Sequence, residues 1–254
     1  MLTRKTISGF TLIEMAMVLM IVGLLLGGML VPLSAQMDQR NVSDTQKSLA
    51  EIQQALIGFA IINGRLPCPA DPTTPTGSTN AAGVSAGSEY KTTGSPYTCA
   101  NVTSNAAWGV LPWATLGVNE TDAWGNRYTY RVTSDFADAI GTTTGGCTPT
   151  PTLATFGLCS GGNLDVWSSA AKVTTIASNV PAIIISHGKN AAGAWTTQGT
   201  QLPVSSDADE KENSDGSANH NYVSHTPTPT FDDMTVWISP NILMNRMVTA
   251  GKLP

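Results

Sequence analysis

The chain has 254 residues, a formal net charge of −5 from 13 Lys and Arg against 18 Asp and Glu, and only 12% charged residues. That length fits one large domain or two small ones. The acidic balance, with no basic patch, argues against nucleic-acid binding, and a composition rich in Gly, Thr, Ser, Asn and Pro suits an exported β-rich domain better than a cytosolic enzyme.

The N-terminus is sharply two-part. Met1 to Gly9 is polar and carries Arg4 and Lys5, whereas Phe10 to Leu33 is almost wholly apolar. As a helix at about 1.5 Å per residue, that run would extend roughly 36 Å, enough to cross a bilayer. The basic residues in front predict a cytoplasmic N-terminus. An ordinary secretory signal is cut after its apolar stretch at a small-x-small site, and no such site follows cleanly here. Glu14 sits five residues into the run. A carboxylate in that setting costs a few kcal/mol, which marks it as a functional candidate; the plain alternative is a polar residue tolerated near the membrane surface.

The string Gly9-Phe10-Thr11-Leu12-Ile13-Glu14, with the apolar run behind it, resembles the processing motif of type IV prepilins. The resemblance implies cleavage by a prepilin peptidase between Gly9 and Phe10, N-methylation of Phe10, and an assembly role for Glu14 against the N-terminal amine of a neighbouring subunit. It also implies other pilin or pseudopilin subunits and an inner-membrane assembly platform as partners. The protein would sit single-pass in the inner membrane, with its C-terminal domain periplasmic, before entering the fibre. Physically, two opposite charges buried in an apolar fibre core satisfy each other, and either alone is costly.

Past Leu33 the helix is predicted to continue. Leu49, Ile52, Leu56 and Phe59 recur at spacings of one apolar face, Asn63-Gly64 is a C-terminal stop, and Pro67 and Pro69 forbid continuation. Pro32, just after Gly27 and Gly28, predicts a kink or local melting. The expected fold is α+β and pilin-like: a long N-terminal helix packed on an antiparallel β-sheet with long disulfide-closed loops. Its segments are a leader at 1–9, a transmembrane and assembly half-helix at 10–33, an amphipathic half at 34–64 and a globular β-rich domain at 65–254.

Residues 70–106 and 141–163 read as loops. Arg127 to Val132, Val180 to Ser186 and Met234 to Ile238 read as strands, and Ser239-Pro240 opens a C-terminal helix. Cys68, Cys99, Cys147 and Cys159 form an even set without a CxxC pair, which reads as two disulfides in an extracytoplasmic protein. Three pairings are open. Cys68–Cys99 with Cys147–Cys159 is favoured because each pair brackets its own loop, and a zinc-thiolate site is the alternative.

Asp122-Ala123-Trp124-Gly125-Asn126-Arg127-Tyr128 resembles the D-P-W-G-N-P-Y turn of the major pseudopilins of type II secretion, with Ala123 and Arg127 in place of two prolines. Asp and Asn suit a tight turn, and Trp124 is expected to anchor it in the core. In that family a C-terminal loop binds calcium. Here Ile183 to Gly188 would lead into it, and Asp207, Asp209, Glu210, Glu212, Asp215, Asp232 and Asp233 are the candidate calcium ligands. A solvated acidic loop is the alternative.

The three histidines, His187, His220 and His225, accompany no G-x-S-x-G, H-E-x-x-H or phosphate-binding glycine loop, so the chain reads as a non-enzyme. The resemblance implies a structural subunit of a type II secretion pseudopilus or type IV pilus. The competing class is a membrane-anchored adhesin or a ligand- or DNA-binding minor pilin.

Overall fold

The computed structural model describes residues 9–142, 147, 151–214 and 220–253, with side chains throughout except at 26–34. Leader residues 1–8 and the acidic loop residue Asp215 lie outside the described residues. The chain divides into two units at Ser43/Asp44.

Helix α1 (Leu12–Asn63) crosses that division without a break. In the first unit, residues 9–25 are exposed, and Leu12, Ile13, Met17, Leu19, Met20 and Leu24 present apolar side chains to the surroundings. The backbone stays helical through Pro32, so the expected local melting is absent. A missing N–H removes one i→i−4 bond, and the bonds of the flanking residues hold the helix. Among the described residues no helix is long and apolar enough to cross a membrane; the described apolar side chains stop at Leu25, while the run continues in sequence to Leu33.

In the second unit α1 buries Leu49, Ile52, Leu56, Ile57 and Ala60, each contributing roughly 1.5–3 kcal/mol relative to exposure for the larger side chains. Phe59 is only half-buried and lies under the Arg65 guanidinium, 5.2 Å from ring centroid to charge. The helix stops at Asn63 because Gly64 takes φ +70°, and a Cβ there would collide with the Leu153 carbonyl.

The elements that follow are β1 (Val102–Thr103), β2 (Ala106–Val110), α2 (Trp113–Leu116), β3 (Thr129–Thr133), α3 (Ser134–Ala137), β4 (Leu164–Trp167), β5 (Thr175–Val180), β6 (Ala182–Ser186), α4 (Ala208–Ser214), β7 (Asn221–Val223), β8 (Met234–Trp237) and α5 (Pro240–Thr249). A five-stranded antiparallel sheet runs β1-β2-β3-β6-β8. Its inner face, with Ala107, Tyr130, Val132 and Ile184, packs on α1 and on Leu243, Met244 and Met247 of α5. Its outer face, with Ala106, Ile183 and Ile185, packs on a second sheet ordered β5-β4-β7. The chain is thus α+β, a helix followed by an antiparallel sheet. The second sheet contains a parallel pair, β4 with β7, beyond the antiparallel plan. The expected single strand over Val180–Ser186 is two: Pro181 separates β5 from β6, and they lie in different sheets.

Two disulfides close the loops, Cys68–Cys99 and Cys147–Cys159, spanning 31 and 12 residues. Loop closure of this size removes unfolded-chain entropy worth about 3 kcal/mol per bridge. Two arginines fasten the same loops from inside. Arg65 makes a bidentate pair with Glu89, which also accepts from the Cys68 N–H at 2.8 Å. Arg127, fully buried, donates to Glu120 Oε1 at 2.9 Å, the Pro72 carbonyl at 3.1 Å, Thr76 Oγ1 at 3.0 Å and the Thr197 carbonyl at 3.2 Å.

Candidate functional site

The first site is the start of α1. Gly9 is exposed with nothing within 4 Å of the place a Cβ would take, and Phe10 is 80% exposed. The backbone around the Gly9–Phe10 bond is therefore open to an approaching partner. Thr11 precedes the first helical residue. Its N–H and its hydroxyl both donate to Glu14 Oε2 at 2.8 Å, and the Glu14 N–H reaches the Thr11 hydroxyl oxygen at 3.4 Å. This is a capping box, in which the third residue of the helix reaches back to satisfy donors at its own N-terminus. The negative charge also lies at the positive end of the helix dipole. Thr11 was not singled out from the sequence, although T-x-x-E directly before an apolar run is the signal that finds it.

The second feature is the turn over 122–128. The Asp122 N–H donates to the Asn126 carbonyl, and Asp122 Oδ1 accepts from the Trp124 and Asn126 N–H groups at 3.0 Å. Gly125 sits at φ +85°. Asp122 Oδ2 accepts from Ser186 Oγ at 2.7 Å, which ties the turn to β6. Burial raises the Asp122 carboxyl above its ordinary value, against the pull of those hydrogen bonds. Trp124 is half-exposed and outside both apolar clusters, so it is not the anchor expected of it. Asp122 and Arg127 anchor the turn: both are buried, Asp122 bonded to the buried Ser186 and Arg127 to Glu120.

The acidic candidates separate. Asp207 caps α4, accepting from the Asp209 N–H at 2.9 Å. Asp209 accepts from the Ala170 N–H at 2.7 Å and pairs with His225 Nε2 at 3.1 Å. Glu212 pairs with Lys172 at 2.9 Å. Each of these three thus has a local partner of its own, and Asp215 falls outside the described residues. Glu210, Asp232 and Asp233 do come together, each offering a carboxylate oxygen within 4.8 Å of the others.

This trio is buried or half-buried, yet among the described residues Asp232 Oδ1 and Asp233 Oδ1 find no hydrogen-bond partner. Asp232 Oδ2 is held by the Lys189 and Asn190 N–H groups at 2.8 and 2.9 Å, and Asp233 Oδ2 by Asn213 Nδ2 at 2.8 Å. His187 Nδ1 stands 3.5 Å from Asp233 Oδ1 without making a hydrogen bond. Burial, together with the Glu210 and Asp233 charges, raises the Asp232 carboxyl above its ordinary value, although the backbone N–H groups pull it down. Gly188, at φ +59°, permits this close approach, since a Cβ there would lie 2.5 Å from the Asp232 carbonyl oxygen. Hard carboxylate oxygens, two of them without a partner among the described residues, are a donor set that fits calcium.

Residues 4–30 match the family model of the prokaryotic N-terminal methylation motif, the signature of type IV prepilin-like proteins. The match takes in the Gly9–Phe10 junction and Glu14 and ends inside α1. No curated protein and no solved structure matches the chain.

Proposed function

We propose that this type IV prepilin-like chain is a structural fibre subunit of a type II secretion pseudopilus or a related type IV pilus. A prepilin peptidase hydrolyses the Gly9–Phe10 bond, releases the leader and leaves Phe10 to be N-methylated. The apolar half of α1 holds the subunit in the inner membrane with the globular part periplasmic, and an assembly platform then draws it into the fibre. There, the Phe10 amine of one subunit meets Glu14 of its neighbour. The observation that carries this reading is the methylation motif at 4–30, set on a helix whose described first half exposes apolar side chains around Glu14. An exposed apolar surface of that extent calls for a membrane or a protein partner. The role is structural rather than catalytic. The turn at Asp122–Tyr128 supports the pseudopilin form.

Within the same proposal, Glu210, Asp232 and Asp233 hold calcium. The ion would neutralise their repulsion and join α4 to the segment before β8. The fibre role is tested by Glu14→Ala: membrane insertion should persist while the amount recovered in sheared fibres falls sharply. Normal incorporation of the variant would contradict the role given to Glu14.

A further inference from the structure

Alternation along β3 sends Tyr130 and Val132 toward α1 and places Thr129 and Arg131 on the outer face of the large sheet. Trp108 of β2 is the register partner of Arg131, so these two side chains stand next to each other on that face. The small sheet covers only part of it. Beyond that cover, a cavity of about 390 Å³ opens, lined by Trp108, Thr129 and Arg131, by Tyr222 of β7, and by Trp195 and Gln201 from the loop after β6.

That loop is held in place. The Arg127 N–H donates to the Trp195 carbonyl at 2.9 Å, Trp195 bridges to Gln201, and Gln201 Nε2 donates to the Gly193 carbonyl at 3.1 Å. Both indoles remain half-exposed at the opening. The volume falls in the range of small-molecule sites, about 300–1,000 Å³, where aromatic walls with a few placed polar groups are the rule. The lining shares no residue with the Gly9–Glu14 segment or with the three-carboxylate cluster.

We propose that this cavity binds a pyranose ring of a saccharide, either neutral or bearing a carboxylate. A pyranose has a face of C–H bonds that lies flat on an indole and a rim of hydroxyls that needs amide, hydroxyl and guanidinium partners. Trp108 and Trp195 supply the aromatic faces. The polar groups are Gln201, whose Nε2 is engaged with the Gly193 and Ser214 carbonyls and whose Oε1 is left to accept, the Thr129 hydroxyl beside His187, and the buried Tyr222 and Arg131. No carboxylate is among the lining residues described, so a cationic sugar gains nothing from the site. A planar guanidinium can also receive a uronate carboxylate through two parallel hydrogen bonds.

The test uses the full chain in a phosphocholine detergent, because glycoside detergents would compete. Saturation-transfer NMR is recorded with galactose, galacturonate and glucosamine. Transfer to the ring C–H protons of galactose or galacturonate is expected. Trp195→Ala should weaken it by up to about tenfold, the scale of one aromatic contact, and Trp195→Phe should retain it at an unchanged melting temperature. No transfer to any of the three, transfer to glucosamine alone, or equal transfer with folded Trp195→Ala would overturn the proposal.

Discussion

Glu14 Oε2 accepts from both the backbone N–H and the hydroxyl of Thr11, each at 2.8 Å, so one carboxylate closes the first turn of its own helix. The group proposed to receive a neighbour's amine is thus already oriented in the single subunit. Two donors and the helix dipole partly satisfy its charge before assembly.

Thr11→Ala should loosen that turn. The hydroxyl is lost and the cap weakens by about 1 kcal/mol. Amide hydrogen exchange at residues 11–14 should accelerate, and Thr11→Ser should restore protection. Unchanged exchange in Thr11→Ala would show that the cap does not hold the turn.

The Arg65–Glu89 pair should govern part of the acid sensitivity. Burial pushes the Glu89 carboxyl up, but hydrogen bonds and charge from Arg65, with the Cys68 N–H, bring it below its ordinary 4.5 in the folded state. A depressed carboxyl gives stability that is present above the unfolded value and lost as pH falls through the folded one. Melting temperature should therefore drop on acidification below about pH 4.5. Glu89→Gln should remove that component. It should also destabilise at neutral pH by about 3–5 kcal/mol, because the Arg65 charge stays buried without its partner.

Calcium should stabilise the full chain, and magnesium or chelator should not. At a hundredfold excess over Kd the gain is about 2.7 kcal/mol, read as a rise in melting temperature. Asp233→Asn should abolish the rise and Asp207→Asn should leave it, because only Asp233 belongs to the cluster. Identical melting under all three conditions would leave the trio without an ion.

Gly188→Ala should disturb the same site from the backbone side. The added Cβ would press on Asp232 from 2.5–2.6 Å, at a φ of +59° that strains an L-residue. A loss of about 1–3 kcal/mol is expected, along with a weaker calcium response. Wild-type melting behaviour would mean that the Gly188–Asp232 approach is not needed.

What could be read from the sequence follows physical range. The apolar face of Leu49, Ile52 and Leu56 and the stop at Gly64 are local signals, and the structure carries both. Of the small sheet, only the end of β5 at Val180 carries a local strand signal. β4 and β7 have four and three residues, too short for a period, and their pairing joins segments more than fifty residues apart. Arg127 looked like a departure from a proline. Its role as a buried clamp depends on Pro72, Thr76 and Thr197, which no local pattern connects to it. In the acidic loop, nearness in sequence does not set the grouping. Asp207, Asp209 and Glu212 are close in sequence to Glu210, but α4 turns them toward a cap, a histidine and a lysine.

Entry into a fibre begins, in the proposed function, with cleavage of the bond between Gly9 and Phe10. Intact-mass measurement of the chain co-expressed with a prepilin peptidase tests it most directly. The expected product is nine residues shorter, begins at Phe10 and carries one added methyl group, and replacing Gly9 by a bulky residue should block the cut. An unprocessed N-terminus, or a cut after the apolar run, would contradict it.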